Sequence, residues 1–280
     1  MAAYNPPAHS EEVIVTFPQE HVMLLTLNRP KSLNAMTPTM ESDLHNLLTW
    51  FENEPSLWVT ILTGNGRIFC AGADLKAWSQ RAQTGLGNER ENAIKDRNGF
   101  GAISRRTSSA KPIIAAVNGG AYGGGTEMAL NCDIVIASED AVFALPEVKR
   151  GVSALAGGMP RLARIAGHHL ASEMLLLGRN VPAKEAAERF HFVNKVVPKS
   201  EVLKTALDWA RQINENSPDS IQSTKRALLL NNQHASVEDV VAAHLRSEEA
   251  KRAHDSDNMK EGLKAFTERR KPLWKNPARL

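Results

Sequence analysis

The sequence predicts an α/β protein whose C-terminal part is helical. Up to about residue 200, continuous apolar segments of strand length alternate with helical patterns, and beyond that point only helical patterns occur. Continuous rather than alternating apolar strands are typical of sheets covered on both faces. A chain of 280 residues is long enough for one large domain with an appendage.

The first elements are a hairpin, a helix and a buried strand. Residues 13–17 and 22–27 are rich in β-formers and flank Pro18-Gln19-Glu20, a pattern that predicts two antiparallel strands. Pro38 begins the predicted helix. Its apolar residues recur at helical spacing: Met40, Leu44, Leu47, Leu48 and Phe51. Residues 58–63 form the next predicted strand.

The middle of the chain continues the alternation, and the last third does not. Predicted strands lie at 112–118, 134–137 and 141–145, with a helix over 126–131. Residues 77–100 are polar and lack periodicity, which indicates a long loop of the functional or mobile kind. The helices predicted for the last third span 202–213, 220–230, 237–253 and 255–269. We therefore expect a core over 13–200 and a helical region over 201–272.

Composition excludes several classes of protein. The net charge is only +3 and no basic block is interleaved with aromatic residues, so no nucleic-acid partner is expected. No apolar run reaches the roughly 18 residues that a membrane span needs. The nine histidines show no metal-site spacing, and we expect no metal. Cys70 and Cys132 lie in apolar surroundings without a CxxC pair and are predicted to be reduced core residues.

The two ends of the chain carry different signals. Residues 1–12 are expected to be flexible, and they lack the apolar segment of a secretory signal. The tail, residues 273–280, finishes in Ala278-Arg279-Leu280, a small–basic–leucine tripeptide of the peroxisomal type. The sequence therefore predicts a peroxisomal location and a peroxisomal import receptor as a partner.

Two glycine-containing segments could expose backbone N–H groups. Gly123-Gly124-Gly125 lies between a strand and a helix, where amides can hold a phosphate or a developing oxyanion. The alternative is that these glycines only permit close helix–strand packing. Phe69–Leu75 offers a second such loop, and loss of one oxyanion donor typically costs roughly 10²–10³ in rate.

Two carboxylates follow these segments. Glu127 lies in the first turn of its predicted helix, and Glu147 follows Pro146. Paired carboxylates in one pocket can divide acid and base roles, because each perturbs the pKa of the other. The alternative is a pair of solvated surface charges. Burial is expected for Glu127, since Met128-Ala129-Leu130 follows it.

Taken together, these segments resemble the crotonase (enoyl-CoA hydratase/isomerase) superfamily from about residue 13 to the C-terminus. The motifs that carry the resemblance lie at 28–36, 69–76, 112–119, 123–127, 143–147 and 157–162. The resemblance implies a crotonase-like spiral of ββα turns, with a helical C-terminal trimerisation region and trimers often paired into hexamers. It also implies an acyl-CoA substrate, with coenzyme A as part of the substrate and no separate cofactor.

The resemblance assigns roles to particular residues. The amides of Ala73 and Gly124 would form the oxyanion hole, while Glu127 and Glu147 would hold a water over C3 and Glu147 would exchange the proton at C2. Phe266 and Arg269 in the last helix would reach the coenzyme, often from a neighbouring subunit. The full set implied to bind substrate or coenzyme is Lys31, Ala35, Ala71, Ala73, Asp74, Leu75, Phe266 and Arg269.

The presence of both glutamates favours a hydratase, because isomerases of the family commonly keep only the second. Many hydratases read Gly-x-x-Pro-Gly after that glutamate, whereas this chain reads Gly151-Val152-Ser153-Ala154-Leu155. The sequence is similar to fungal peroxisomal members that dehydrate branched 3-hydroxyacyl thioesters in siderophore biosynthesis. Residues 77–105, with Trp78, and Ala154 and Leu155 are expected to set the acyl chain.

Three other functions stay open on the sequence. The chain could be an isomerase or a β-oxidation hydratase of the same fold, or a silent coenzyme-A fold that binds RNA or a protein partner. A serine hydrolase is disfavoured because no G-x-S-x-G elbow occurs, and Ser153 is interpreted as a loop residue.

Overall fold

The structure is a computed structural model that describes residues 4–74 and 94–277. Its main sheet has six strands in the order β1-β2-β3-β4-β6-β9. The nine described strands are β1 (Val13–Gln19), β2 (Val22–Leu27), β3 (Val59–Gly64), β4 (Ile113–Val117), β5 (Ala121–Tyr122), β6 (Ile134–Ser138), β7 (Val142–Ala144), β8 (Asn180–Pro182) and β9 (Lys195–Val197). Strands β1 and β2 form the predicted antiparallel hairpin, and every later pair in this sheet is parallel.

A smaller sheet has the order β5-β7-β8. Ala121 pairs with Phe143 and Tyr122 with Ala144 in parallel register, while β8 runs antiparallel to β7. Because parallel strands end at the same edge of a sheet, the residues that follow β5 and β7 come together in space. Those residues are the glycine-rich segment and the Pro146-Glu147 segment.

Ten described helices cover the sheets and form the C-terminal part. They are α1 (Pro38–Asn53), α2 (Gly124–Asn131), α3 (Gly158–Ala166), α4 (His168–Leu177), α5 (Ala183–Glu188), α6 (Val202–Asn214), α7 (Pro218–Asn231), α8 (Val237–Leu245), α9 (Glu248–Asp255) and α10 (Asp257–Thr267). Short 3₁₀ turns occur at Pro30–Ser32, Phe100–Ala102, Glu147–Arg150 and Lys199–Glu201. None of the described helices is long and apolar enough to cross a membrane.

Helix α1 follows the predicted pattern. The Thr37 hydroxyl accepts a hydrogen bond of 3.0 Å from the Met40 N–H, and Pro38 occupies the first turn, where its missing N–H costs nothing. All five apolar residues that define the helical pattern are buried. They pack into one core with the strand residues that face them. The helical spacing of these apolar residues therefore marks the buried face of α1.

The central strands are covered on both sides, as the continuous apolar runs predict. Leu62 of β3 belongs to the core that contains α1, whereas its neighbour Ile61 belongs to a second core that contains residues of α6. Cys70 is fully buried in the first core and Cys132 is partly buried, and both thiols are free. Burial raises the pKa of the Cys70 thiol to about 12, which makes it an inert core residue.

Two predicted C-terminal helices have different bounds. The helix expected over 237–253 is two helices, because the Ser247 hydroxyl accepts from the Ala250 N–H at 3.2 Å and starts α9 anew. The helix expected over 255–269 begins after Ser256, which caps it in the same way, and ends at Thr267. Arg269 therefore lies beyond the last helix, with a φ of 52°.

The start of the chain has more contacts than the sequence indicated. From residue 4 onwards, the segment expected to be flexible lies against the body of the protein. The Tyr4 ring lies 4.4 Å from the Phe17 ring, and the Ser10 N–H donates to the Asp43 carboxylate at 3.0 Å. These contacts join residues that are distant in sequence, so no local sequence pattern could predict them.

Candidate active site

A cavity of about 680 Å³ opens where the loops after several strands meet. It receives residues from the start of α1, from the 71–74 loop, from the start of α2 and from the segment after β7. Of the predicted site residues, it is lined by Ala71, Ala73, Asp74, Gly124, Glu127 and Glu147. The fold thus brings both glutamates and both proposed amide donors to one place.

Pairing of β5 with β7 places the two glutamates together. The Gly123 N–H donates to the Ala144 carbonyl at 2.9 Å, which continues the ladder one residue beyond β5. The Thr126 hydroxyl donates to the Ala121 carbonyl at 2.7 Å and accepts from the Ala144 N–H at 3.3 Å. These bonds fix the first turn of α2, which carries Glu127, against the strand that leads to Glu147. Helix α2 begins at Gly124, two residues before its predicted start.

Glu127 is buried and its pKa is displaced toward neutrality. Its side chain is 3% exposed, and its Oε1 atom accepts a hydrogen bond of 2.8 Å from the Gly158 N–H. Burial raises the pKa of Glu127 to about 7, and the charge of Glu147 adds to this, while the Gly158 and Ala156 N–H groups and Arg161 oppose it. A carboxyl with this pKa can either donate or accept a proton at neutral pH.

Glu147 begins a 3₁₀ turn immediately after Pro146. Burial raises the pKa of its carboxyl as well. Its Oε2 atom is buried and has no hydrogen-bond partner among residues 4–74 and 94–277. Gly123 has a φ of 54°, which favours glycine, and a Cβ atom at this position would lie 2.9 Å from the Glu147 Oε1 atom and would displace that carboxylate. A buried, unsatisfied oxygen at a cavity wall is suited to a proton or a polar group of a ligand.

The two predicted donor amides come from neighbouring loops. Met36 and Ala73 form an isolated parallel bridge, in which the Met36 N–H donates to the Gly72 carbonyl and the Asp74 N–H to the Met36 carbonyl. Neither of these bonds uses the Ala73 N–H. Gly124 is the first residue of α2, so its N–H has no acceptor within the helix. A Cβ atom at Gly72 would lie 3.6 Å from the Gly124 nitrogen, which shows how closely the loops approach.

The residues before position 76 that are expected to bind the coenzyme do not all line the cavity. Ala71 and Asp74 line the cavity, and the Asp74 carboxylate pairs with the Arg29 guanidinium at 3.3 Å. Lys31 and Ala35 lie in the loop before the cavity wall and do not line it, although Arg29 donates to the Ala35 carbonyl at 2.6 Å. Leu75 lies outside the described residues, as do most of residues 77–105, including Trp78.

Phe266 and Arg269 do not line this cavity. Phe266 is 85% exposed on α10, and Arg269 is exposed beyond the end of the helix.

Several lining residues were not found from the sequence. Glu41 and Arg150 line the cavity but belong to none of the motifs found in the sequence. Met36 ends the 28–36 motif without an assigned role, and Phe100 and Arg105 lie in the 77–105 range expected to set the acyl chain. Gly99-Phe100-Gly101 offered a further local signal, since glycines on both sides of an aromatic residue often mark a tight turn. Ser153, interpreted as a loop residue, lines the cavity together with Ala154 and Leu155.

The sequence pattern that defines the enoyl-CoA hydratase/isomerase family matches residues 18–277. The chain belongs to this family. Enoyl-CoA hydratase from Mycobacterium tuberculosis has the same fold, with a TM-score of 0.84 and 35% identity over 95% of this chain and 100% of that one. The predicted crotonase fold is confirmed.

Relatives of similar length carry hydratase names. Mevalonyl-coenzyme A hydratase sidH of Aspergillus fumigatus is 45% identical over 95% of this chain and 96% of its own length. Mevalonyl-coenzyme A hydratase SIDH of Beauveria bassiana is 44% identical over 97% of each chain. The chain is an enzyme of the enoyl-CoA hydratase type, a hydro-lyase that acts on an acyl-CoA thioester, as the paired glutamates predicted.

Proposed function

We propose that this enzyme interconverts mevalonyl-CoA and anhydromevalonyl-CoA in siderophore biosynthesis. The observation that carries the chemistry is the convergence of a buried glutamate, a half-buried glutamate and two loop amides on one cavity. The similarity to two fungal mevalonyl-CoA hydratases supports the choice of substrate. Coenzyme A enters as part of that substrate, and the reaction requires no separate cofactor or metal.

In the dehydration direction, the Glu147 carboxylate removes a proton from C2. The electrons move toward the thioester oxygen, where the N–H groups of Ala73 and Gly124 stabilise the enolate. The C3–O bond then breaks as the Glu127 carboxylic acid donates its proton to the departing hydroxyl, so water leaves. Hydration is the same sequence in reverse. A pKa of about 7 lets Glu127 supply either protonation state at neutral pH.

The cavity residues that follow Glu147 in the sequence favour a substrate with a branched acyl group. Ala154 and Leu155 line the cavity where many hydratases of the family have Pro-Gly, and Val152 lines it two residues earlier. Ala154 is buried, so it forms a fixed part of this wall. Apolar side chains here suit the methyl branch that mevalonyl-CoA carries at C3.

We further propose that the helical region 201–272 assembles the enzyme into a homotrimer or hexamer. Large apolar side chains are exposed on its helices, including Val237 (71%), Leu245 (67%) and Phe266 (85%). Exposed apolar patches mark protein interfaces. Assembly would cover these side chains and would bring Phe266 and Arg269 of one copy to the coenzyme of its neighbour.

The peroxisome is the proposed location, through recognition of Ala278-Arg279-Leu280 by the import receptor. This tripeptide lies outside the described residues, but the segment before it is held in place. The Lys275 N–H donates to Asn258 Oδ1 at 2.8 Å, and the Asn258 amide donates to the Lys275 carbonyl at 2.9 Å. Deleting the tripeptide from a fluorescent fusion should abolish peroxisomal accumulation in the cell.

The decisive experiment follows the enoyl-thioester absorbance of the purified enzyme with mevalonyl-CoA and with crotonyl-CoA, using Glu147→Gln as the control. Formation of the branched enoyl thioester from mevalonyl-CoA, lost in the variant, would support the proposal. Rapid turnover of crotonyl-CoA alone would indicate a β-oxidation hydratase. Turnover of neither substrate would favour the isomerase.

A further inference from the structure

The backbone turn at residues 156–158 is in direct contact with Glu127. The Gly158 N–H donates to the Glu127 Oε1 atom at 2.8 Å, and the Ala156 N–H also acts on this carboxyl. A Cβ atom at position 158 would lie 2.7 Å from Glu127 Cγ. The position of this turn therefore decides both where the carboxyl lies and how many hydrogen bonds it accepts.

Two side chains outside the cavity lining hold the turn against the segment that follows the Phe100–Ala102 3₁₀ turn. The Arg161 Nη1 atom donates to the Ser104 carbonyl at 2.7 Å, and the Ser104 hydroxyl donates to the Ala156 carbonyl at 2.8 Å. Ser104 is fully buried. The guanidinium also lies over the turn itself, because a Cβ atom at Gly157 would be 2.7 Å from Arg161 Nη1.

We propose that Arg161 and Ser104 are positioning residues of the reaction, which clamp the 156–158 turn so that its N–H groups hold Glu127 in place. One hydrogen bond runs from Arg161 to the Ser104 carbonyl and the other from Ser104 to the Ala156 carbonyl, so both join Ser104 to the 156–161 segment. Loss of either one should therefore loosen the turn. This inference rests on the proposed role of Glu127 as the group that exchanges a proton with the C3 oxygen.

The charge of Arg161 lowers the pKa of Glu127, as the N–H groups of the 156–158 turn also do. Among residues 4–74 and 94–277, the charged groups that act on Glu127 are Glu147, which raises its pKa, and Arg161, which lowers it. Arg161 is faced in turn by Glu127, Arg164, Cys132 and Arg105. Removal of the guanidinium leaves burial and Glu147 unopposed by a cation, so the pKa of Glu127 should rise above about 7.

The test compares Arg161→Gln, Arg161→Lys and Ser104→Ala with the wild-type enzyme. Infrared difference spectra between pH 5 and 9 report the protonated carboxyl of Glu127, which is assigned by its loss in Glu127→Gln. Arg161→Gln should raise this pKa by about one unit. It should also lower kcat by about 10- to 100-fold with little change in KM, because neither clamp residue lines the cavity.

Two further variants show how large the shift in the Glu127 titration should be. Arg161→Lys keeps the charge and should stay closer to the wild type, and Ser104→Ala should shift the Glu127 titration in the same direction as Arg161→Gln by less. Arg164→Gln is the matched control, because Arg164 lies in the same helix but donates to the Asn232 carbonyl. Arg164→Gln should leave the infrared titration and kcat unchanged.

An unshifted Glu127 titration in folded Arg161→Gln, or an equal shift in Arg164→Gln, would overturn the clamp. If Arg161→Gln does not fold, the same comparison is made with Ser104→Ala and Arg161→Lys, and an unshifted titration in Ser104→Ala overturns it. The infrared readout needs no substrate. A shifted titration in an enzyme that does not turn over mevalonyl-CoA would therefore uphold the clamp while rejecting the proposed substrate.

Discussion

Gly158 donates its N–H to the Oε1 atom of Glu127 at 2.8 Å, across 31 positions of sequence. The backbone of Gly158 is so close to this side chain that a Cβ atom there would lie 2.7 Å from Glu127 Cγ and 3.0 Å from Oε1. The first residue of α3 thus supports the carboxyl of α2 both by a hydrogen bond and by contact. Any larger residue at position 158 would force either the start of α3 or the Glu127 side chain to move.

Gly158→Ala is expected to displace the Glu127 carboxyl by several tenths of an ångström or more. A misplacement near 1 Å can cost about 100-fold in rate, so kcat should fall by about 10- to 100-fold. Steady-state kinetics on the substrate that the wild-type enzyme turns over is the measurement. Met159→Ala, one residue on, is the control for a change in the same turn of helix. A wild-type kcat for Gly158→Ala would contradict the prediction.

Glu127→Gln and Glu147→Gln should each lower kcat by about 10²–10⁴-fold, because each removes a group that transfers a proton in the transition state. Glu139→Gln, on an exposed loop after β6, is the matched control and should retain activity. Circular dichroism would verify that all three variants fold. Full activity in Glu127→Gln together with its loss in Glu147→Gln would instead favour an isomerase.

Glu127 should make the protein less stable as the pH rises. Its pKa is about 7 in the folded state against an ordinary value of 4.5, so the folded state holds more protons than the unfolded state between these values. The free energy of unfolding therefore falls as the pH increases from about 4.5 to about 7. Glu127→Gln removes this contribution and should exceed the wild type in stability above pH 7, by up to about 3 kcal/mol.

Urea unfolding of the wild type and Glu127→Gln at pH 5 and pH 8 checks this prediction. The difference between the two proteins should be small at pH 5 and larger at pH 8. Glu147 is present in both proteins, so its own titration contributes to both curves and largely cancels. A difference that is the same at both pH values would show that Glu127 is not protonated preferentially in the folded state.

Lys111 should be important for stability rather than for activity. Its buried ammonium donates to the carbonyls of Phe51 and Glu54, each at 2.7 Å, at the C-terminal end of α1. Lys111→Met removes the charged donor from both carbonyls, which keep only the N–H groups of Glu54 and Leu57, and this should cost about 2–3 kcal/mol in the free energy of unfolding. Lys199→Met, at an exposed site where the lysine donates to the Arg67 carbonyl, should cost much less. Equal losses in the two variants would contradict the prediction.

A charge on the exposed apolar face of α10 should weaken the proposed assembly. Phe266→Glu, or Leu263→Glu one turn earlier, places a carboxylate where an apolar contact is expected and should shift the protein toward monomers. Light scattering after gel filtration measures the mass, and Lys260→Glu on the same helix is the control for added negative charge. A variant that keeps the wild-type mass would place the interface elsewhere.

Local patterns predicted the elements whose signals are local. The hairpin of β1 and β2, helix α1 and the buried strand β3 all follow from side-chain periodicity, which reports which face is buried. Strand β5 was missed because it has only two residues within a glycine-rich segment. The break before α9 was missed because the helical pattern runs through Ser247, although serine is a preferred N-cap.

The sequence alone determined which groups are available for the chemistry: two glutamates after two strands, and glycines that leave amides exposed. Only the tertiary structure decided that Glu127 accepts from Gly158, that the Ala73 and Gly124 loops adjoin, and that Phe266 does not line the cavity. Residue types and short-range periodicity are properties of the chain, whereas contacts between distant segments depend on how strands pair and helices pack. The raised pKa of Glu127 belongs to the second kind, because its main cause is burial.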